Sequence, residues 1–282
     1  MTNKKIKSIL LILTLFFTLF MGSCSYFIPQ TNQQILNATY SGEFYSYEDY
    51  SQLPIYVSET YSLNSIDQYN QILLNTKEHV VKSTISIKTT ISTGFNDDII
   101  SGSGFIYQAD ESYYYAVTNH HVIENSNVSS PSFATIKFEV KTYEDTSYHE
   151  AEVLISNKDL DLAILRFEKN NRQSVEFINI SQRLGYRMKA DELVMAVGNP
   201  LRFYNNVSIG KFVRISLIEN VDFIVIEHNA EIDEGSSGGA LVDVDGNLIG
   251  INTWGSDDGT KSFAIPSFVL YNFISSNNLI NE

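Results

Sequence analysis

From Val81 onward the chain alternates apolar and polar residues with a period of two. Val81, Ser83, Ile85, Ile87 and Ile91 alternate with Lys82, Thr84, Ser86 and Lys88, and later Ala134, Ile136, Phe138 and Val140 with Thr135, Lys137 and Glu139. Successive side chains on such a segment face opposite ways, so each run is predicted to be a half-buried strand. Roughly a dozen short strands separated by turn residues, among them Asn96-Asp97-Asp98, Asp245-Gly246-Asn247 and Asp257-Asp258-Gly259, predict an all-β sandwich or barrel. Propensity does not choose between the two. Two helices flank the strands. Asn64 or Ser65 caps one that runs to about Glu78 and packs Ile66, Tyr69, Leu73 and Leu74 on the strands, and Ser267 to Ser276 forms a closing one.

The first 23 residues stand apart. Lys4, Lys5 and Lys7 precede an uncharged apolar run from Ile9 to Met21, then Gly22-Ser23-Cys24. A basic start, a short apolar core and small residues before a lone cysteine predict an export signal over 1–23. The run is shorter than the about 20 residues that span a bilayer. It is similar to a bacterial lipobox, which implies lipidation of Cys24 and attachment to the outer side of the cytoplasmic membrane; Met21 stands where leucine is usual. Residues 24–63, polar with scattered tyrosines, are predicted to be a tether, and 64–282 the folded domain. Cys24 is the only cysteine, so the fold rests on its core without an internal disulfide. The net charge is −14, and losing Lys4, Lys5 and Lys7 with the leader takes it to −17. Such a surface repels nucleic acid.

Chemistry concentrates in Gly235-Ser236-Ser237-Gly238-Gly239, where glycines allow close backbone approach to an exposed hydroxyl. A serine needs a base to take its proton and a third group to hold that base. The run also fits the GxSxG elbow of α/β-hydrolases, whose histidine follows the serine. Here all five histidines, His79, His120, His121, His149 and His228, precede Ser237. The order histidine, acid, serine or acid, histidine, serine remains. The first is favoured by Val117-Thr118-Asn119-His120-His121-Val122-Ile123 and Asp159-Leu160-Asp161-Leu162-Ala163-Ile164-Leu165, each predicted to set a polar residue inside an apolar strand. A carboxylate between Leu160 and Leu162 is costly without a partner, and His121 Nδ1 would serve. The second order, with Asp97 or Asp98 as the acid on a subtilisin-like scaffold, needs alternating helices and strands that this chain lacks.

Several segments together resemble the trypsin-like serine proteases, and within them the bacterial HtrA/Deg branch. Ser101-Gly102-Ser103-Gly104-Phe105-Ile106 resembles the strand before the family's histidine, Thr118 to Val122 its TNxHV motif, and Asp161-Leu162-Ala163 its acid motif. Gly198-Asn199-Pro200 resembles its inter-barrel GNP and Gly235 to Gly239 its nucleophile loop. Gly246-Asn247-Leu248-Ile249-Gly250-Ile251-Asn252 and Phe263-Ala264-Ile265-Pro266 close the likeness, which runs from about 80 to 270. It implies two antiparallel six-stranded barrels with the active site between them. It also implies His121 as base, Asp161 as its orienting acid, Ser237 as nucleophile, and the N–H groups of Gly235 and Ser237 as oxyanion hole.

The same resemblance assigns Thr253-Trp254-Gly255 to pairing with substrate backbone, with the Thr253 hydroxyl supporting Asp161. Ser236 stands where relatives have the aspartate that pairs with a new N-terminus, or an asparagine, so no activating cleavage is expected. Glu231 falls at the floor of the specificity pocket, where a carboxylate favours lysine or arginine, whereas Ile232 beside it favours small aliphatic residues; the aliphatic preference is the expectation. A C-terminal PDZ domain is expected to be absent. Protein or peptide substrates are the expected partners, nucleic acid is not, and nothing in the residues argues for an oligomer. No cofactor is expected. Nor is a metal, since His120 and His121 are adjacent and no HExxH or cysteine cluster occurs. The alternative is a catalytically silent lipoprotein of the same fold that binds peptides or host proteins.

Overall fold

A computed structural model of the chain describes residues 44–62, 65–94, 96–124, 134–170, 172, 174–198, 206–256 and 261–280. The leader, Cys24, residues 25–43 of the tether, Asn64, Asn199, Pro200 and the Asp257-Asp258-Gly259 turn lie outside the described residues.

Among the described residues, twelve strands close into two antiparallel barrels. The first contains β1 (Thr84–Ser92), β2 (Asp97–Ala109), β3 (Tyr113–Thr118), β4 (Thr135–Thr142), β5 (His149–Asn157) and β6 (Leu162–Glu168), in the order β1-β2-β3-β6-β5-β4. The second contains β7 (Leu193–Gly198), β8 (Asn206–Ser216), β9 (Val225–His228), β10 (Ala240–Val242), β11 (Leu248–Gly255) and β12 (Ser262–Pro266), in the order β10-β11-β12-β9-β8-β7. The two-residue alternation is realised in β4, where Ile136, Phe138 and Val140 are buried between exposed Thr135 and Lys137. Ile85, Ile87 and Ile91 of β1 enter the same core, and burying each contributes about 1.5–3 kcal/mol before entropic costs. Closure gives every strand a partner on both sides, which removes most of the open edge that a flat sheet would present. A second, larger cluster joins Phe105, Val117 and Leu162 of the first barrel to Val197, Ala240 and Ile251 of the second, and it sets the relation of one barrel to the other.

The flanking elements depart from the sequence reading in two ways. The N-terminal helix extends to Ser83, into the segment expected to begin the first strand. Its last carbonyls are capped by hydroxyls, Ser83 Oγ donating to His79 O at 3.0 Å and Thr84 Oγ1 to Val80 O at 2.7 Å. The buried face is Thr76, Val80 and Ser83, with Tyr69 and Leu73 half-buried in line with them as expected, whereas Ile66 (70%) and Leu74 (61%) are exposed. Thr76 Oγ1 ties the helix to the second barrel by donating to Val244 O (2.8 Å).

Residues 44–62, expected to belong to a tether, are instead bound to the second barrel. The helix α1 (Tyr47–Gln52) is capped by Ser46 and buries Tyr50, whose hydroxyl oxygen accepts Met188 N–H at 3.0 Å. The Tyr45 ring packs edge-on against Phe268 (4.9 Å) and the Tyr56 ring under the Arg183 guanidinium (4.3 Å). Arg187 donates to Leu53 O and Pro54 O, both 2.9 Å. Tyr45, Tyr50 and Tyr56, read as part of a polar tether, therefore act as anchors, Tyr50 being buried with its hydroxyl partnered, while Tyr47 is exposed. The 18-residue helix that follows (Ile66–Ser83) is α2. The closing helix spans Ser267–Ser276 as expected, burying Phe268, Val269, Leu270, Phe273 and Ile274.

Candidate active site

β3 ends at Thr118, so the two histidines expected in a strand start a single-turn helix, α3 (His120–Ile123). Asn119 holds the N-cap position in extended backbone, but its side chain serves another element: Nδ2–H donates to Asp161 O at 2.9 Å. Asp161 likewise lies outside a strand. It ends the turn before β6, its N–H donating to Lys158 O (3.2 Å), with φ at 52°. Aspartate is among the few non-glycine residues that tolerate this left-handed geometry.

These two local departures bring the side chains together. Asp161 Oδ1 accepts the His121 backbone N–H at 3.0 Å, while His121 Nδ1 lies 3.0 Å from Oδ1 and 2.9 Å from Oδ2. Thr253 Oγ1–H, from β11 of the other barrel, donates to Oδ2 at 2.7 Å. A carboxylate only 13% exposed thus faces three donors, which offsets its lost hydration. The His121 side chain is 43% exposed at the cleft, leaving Nε2 the free ring edge. His120 is different: it is buried, and burial pushes its pKa down, Glu124 only partly opposing the shift.

Ser237 lies on the turn that leads into β10. Gly238 follows at φ 86°, and a Cβ there would sit 2.3 Å from both Ser103 O and Thr118 Oγ1. The loop is pinned from several directions: Gly238 N–H donates to Asn252 O (2.8 Å), Gly239 N–H to Ser236 O (3.0 Å) and Ser103 N–H to Ser237 O (2.8 Å). Among the described residues, the N–H groups of Gly235 and Ser237 have no acceptor in the protein. The Ser237 hydroxyl donates to Thr253 O at 3.3 Å, and among the described residues no hydrogen bond joins it to His121. The expected serine–histidine contact is therefore not made in this conformation. Thr253 touches both sides of the gap, its hydroxyl on Asp161 and its carbonyl on Ser237, so the three side chains surround one residue. A staggered change at a serine χ1 redirects its oxygen without moving the backbone, and such hydrogen bonds are often loose before substrate binds.

Trp254 is half-buried and lines a cavity of about 330 Å³ with His120, His121, Glu124, Lys158 and Asp161. β11 pairs with β10 only as far as Ile251, and with β12 through Gly255, so beside Trp254 and Gly255 one edge has no strand among the described residues. Glu231 is exposed, and Ile232 half-buried, on a small cavity behind Ser236 that Asn206, Ser208 and Gly198 also line. Asn119, Ser103 and Asn252 were not singled out as site residues from the sequence. A polar residue between two glycines, as in Gly102-Ser103-Gly104, was the available signal for Ser103.

A family model described as a trypsin-like peptidase domain matches residues 102–251. The chain is 35% identical over 180 residues to serine protease HTRA4 of Mus musculus, covering 62% of this chain and 34% of that protein. It is 30% identical over 161 residues to a probable periplasmic serine endoprotease DegP-like of Chlamydia muridarum (strain MoPn / Nigg), covering 55% of this chain and 28% of the relative. The chain thus spans about a third of the length of the curated relatives it matches. Among solved structures it is similar to the HtrA-type protease AlgWS227A with tripeptide, at TM-score 0.58 and 24% identity, covering 73% of this chain and 63% of that one. It is also similar to a serine endoprotease from Yersinia pestis, at TM-score 0.53 and 24% identity, covering 73% and 66%.

Proposed function

The chain belongs to the trypsin-like peptidase domain family, and on that premise we propose that it is a serine endopeptidase that cuts protein or peptide substrates through an acyl-enzyme. The observation that carries this reading is the half-buried Asp161 carboxylate gripping His121 Nδ1 beside the Ser237 loop, with two N–H groups flanking the hydroxyl that have no acceptor among the described residues.

Asp161 fixes the tautomer: with Nδ1–H held by the carboxylate, Nε2 carries the lone pair. Substrate binding turns Ser237 Oγ from Thr253 O toward Nε2. His121 then takes the hydroxyl proton as Oγ attacks the scissile carbonyl carbon, and the carbonyl oxygen becomes an anion facing the Gly235 and Ser237 N–H groups. Collapse of the intermediate expels the amine, which receives the proton from His121. Water, deprotonated in turn by His121, hydrolyses the ester and restores Ser237. The free edge at Trp254 and Gly255 offers backbone groups to an extended substrate. Ile232 supports a preference for small aliphatic residues before the scissile bond, since the Glu231 side chain is exposed to solvent.

The proposal extends to location: the apolar leader and Cys24 support a lipoprotein held on the outer side of the cytoplasmic membrane. Among the described residues no helix is long and apolar enough to cross a membrane. Loss of incorporated alkyne-palmitate in Cys24→Ala would support lipidation, and its retention would sink it. For the activity, purified protein should digest an unfolded protein and react with a fluorophosphonate probe, both abolished in Ser237→Ala. Labelling or cleavage that survives in Ser237→Ala overturns the assignment, and cleavage confined to sites after lysine or arginine overturns the aliphatic preference.

A further inference from the structure

The peptide between Gly235 and Ser236 lies between the two N–H groups that flank the nucleophile, and it is held at both ends. Its N–H, on Ser236, donates to Asp233 O at 2.9 Å. Its carbonyl, on Gly235, accepts the hydroxyl proton of Ser103 at 2.6 Å. That hydroxyl comes from β2 of the opposite barrel, and the same residue's backbone N–H holds Ser237 O at 2.8 Å. Ser103 therefore grips the nucleophile loop on either side of Ser236, once with its side chain and once with its main chain. It is fully buried, so no water competes for Gly235 O, and the space for its hydroxyl exists because residue 198 has no side chain: a Cβ on Gly198 would lie 3.0 Å from Ser103 Oγ.

A peptide plane fixed at its oxygen and its hydrogen cannot rotate, and the planes before and after it, which carry the Gly235 and Ser237 N–H groups, are then constrained at one end. Gly235 has φ 95° and no side chain to restrict it; without the Ser103 bond the peptide is held only from its N–H end, by Asp233 O. We propose that Ser103 is a positioning residue for the oxyanion site, its hydroxyl locking the Gly235–Ser236 peptide so that both flanking N–H groups face the developing anion before substrate arrives. This rests on the serine peptidase reading above.

Pre-aimed donors act in the transition state, so the loss should fall on kcat. In Ser103→Ala, kcat is expected to drop about 10- to 100-fold with KM within about threefold of the parent. Affinity for a peptide aldehyde, whose carbonyl carbon bonds to Ser237 Oγ, should fall by the same factor as kcat/KM. Binding of an uncleaved peptide by Ser237→Ala should not change when Ser103→Ala is added. A merely structural role would lower the melting temperature without this split. Should Ser103→Ala fail to fold, Ser103→Cys is read in its place: a thiol donates weakly, and kcat should again fall at constant KM. Wild-type kcat in a folded variant, or a loss confined to KM, overturns the inference. A parent protein that neither cleaves nor labels overturns the peptidase reading instead, and is separately visible.

Discussion

Thr253 Oγ1 lies 2.7 Å from Asp161 Oδ2, a hydrogen bond that crosses from one barrel to the other. Thr253 is buried on β11, beside the bulge that interrupts pairing with β12, and its own carbonyl accepts the Ser237 hydroxyl, so one residue ties the carboxylate on the first barrel to the nucleophile. Hydrogen bonds to charged groups contribute about 1.5–3 kcal/mol. Thr253→Val keeps the shape and removes the donor, so kcat/KM should fall about 10-fold or more, and Thr253→Ser should restore most of it. Steady-state kinetics on a peptide substrate check this; equal loss in Thr253→Ser and Thr253→Val would show that the hydroxyl is not what matters.

Gly238 tolerates no side chain. Alanine at φ 86° is strained, and its Cβ would overlap Ser103 O and Thr118 Oγ1, a backbone and a buried side-chain atom held by their own 2.7 Å bond. Gly238→Ala should abolish fluorophosphonate labelling and lower the melting temperature, whereas Gly94→Ala, with open space around its Cβ, should leave labelling intact. Thermal melts alongside labelling decide it.

His228 gives the fold an acid sensitivity apart from the cleft. It is fully buried on β9, and neither ring nitrogen has a hydrogen-bond partner of good geometry. Burial pushes its pKa from 6.5 down to about 4, the nearby Asn252 side chain and Ala230 backbone offsetting only part of the cost. The unfolded chain binds the proton first. Stability from this residue is therefore complete above about pH 6.5, declines as pH falls toward about 4, and levels off below, a span of roughly 3 kcal/mol. In denaturant melts the unfolding free energy of the parent, relative to that of His228→Thr, should fall by about that amount between pH 7 and pH 4; a difference that does not change with pH would refute it.

Tyr50 should account for much of the grip of residues 44–62 on the second barrel. Tyr50→Phe leaves Met188 N–H buried without its acceptor, a loss of about 1–3 kcal/mol, and Tyr50→Ala should lose about 3–5 kcal/mol. Urea denaturation measures both. No change in Tyr50→Ala would mean that this segment contributes nothing to the folded state.

The strands and the closing helix were legible because their signals are local: apolar alternation in β4 and a polar start at Ser267 need no distant partner. Residue types of the site were legible for a related reason, since His121, Asp161 and Ser237 each sit in a short motif. What could not be read was where neighbours in space override local pattern. The segment at His120 and His121 looks like strand, yet it turns into α3 as Asn119 reaches across to Asp161 O. Val81 fits a strand by period, yet hydroxyl caps at Ser83 and Thr84 prolong α2. Ile66 and Leu74 look like part of the packing face, yet both are exposed, while Tyr69 and Leu73 are half-buried in line with Thr76 and Val80.

Two properties follow from the order of residues along the chain: the all-β architecture, and which residue types could perform acid–base and nucleophilic chemistry. Period, turn residues and short motifs are properties of adjacent positions. Folding in three dimensions is what brings a strap of tyrosines onto the second barrel, Asp161 before three donors from two barrels, Ser237 onto Thr253, and Ser103 to the Gly235 peptide 132 positions away. Each is a contact between residues far apart in the chain, and its formation depends on the shape of the closed barrels, which no local pattern encodes.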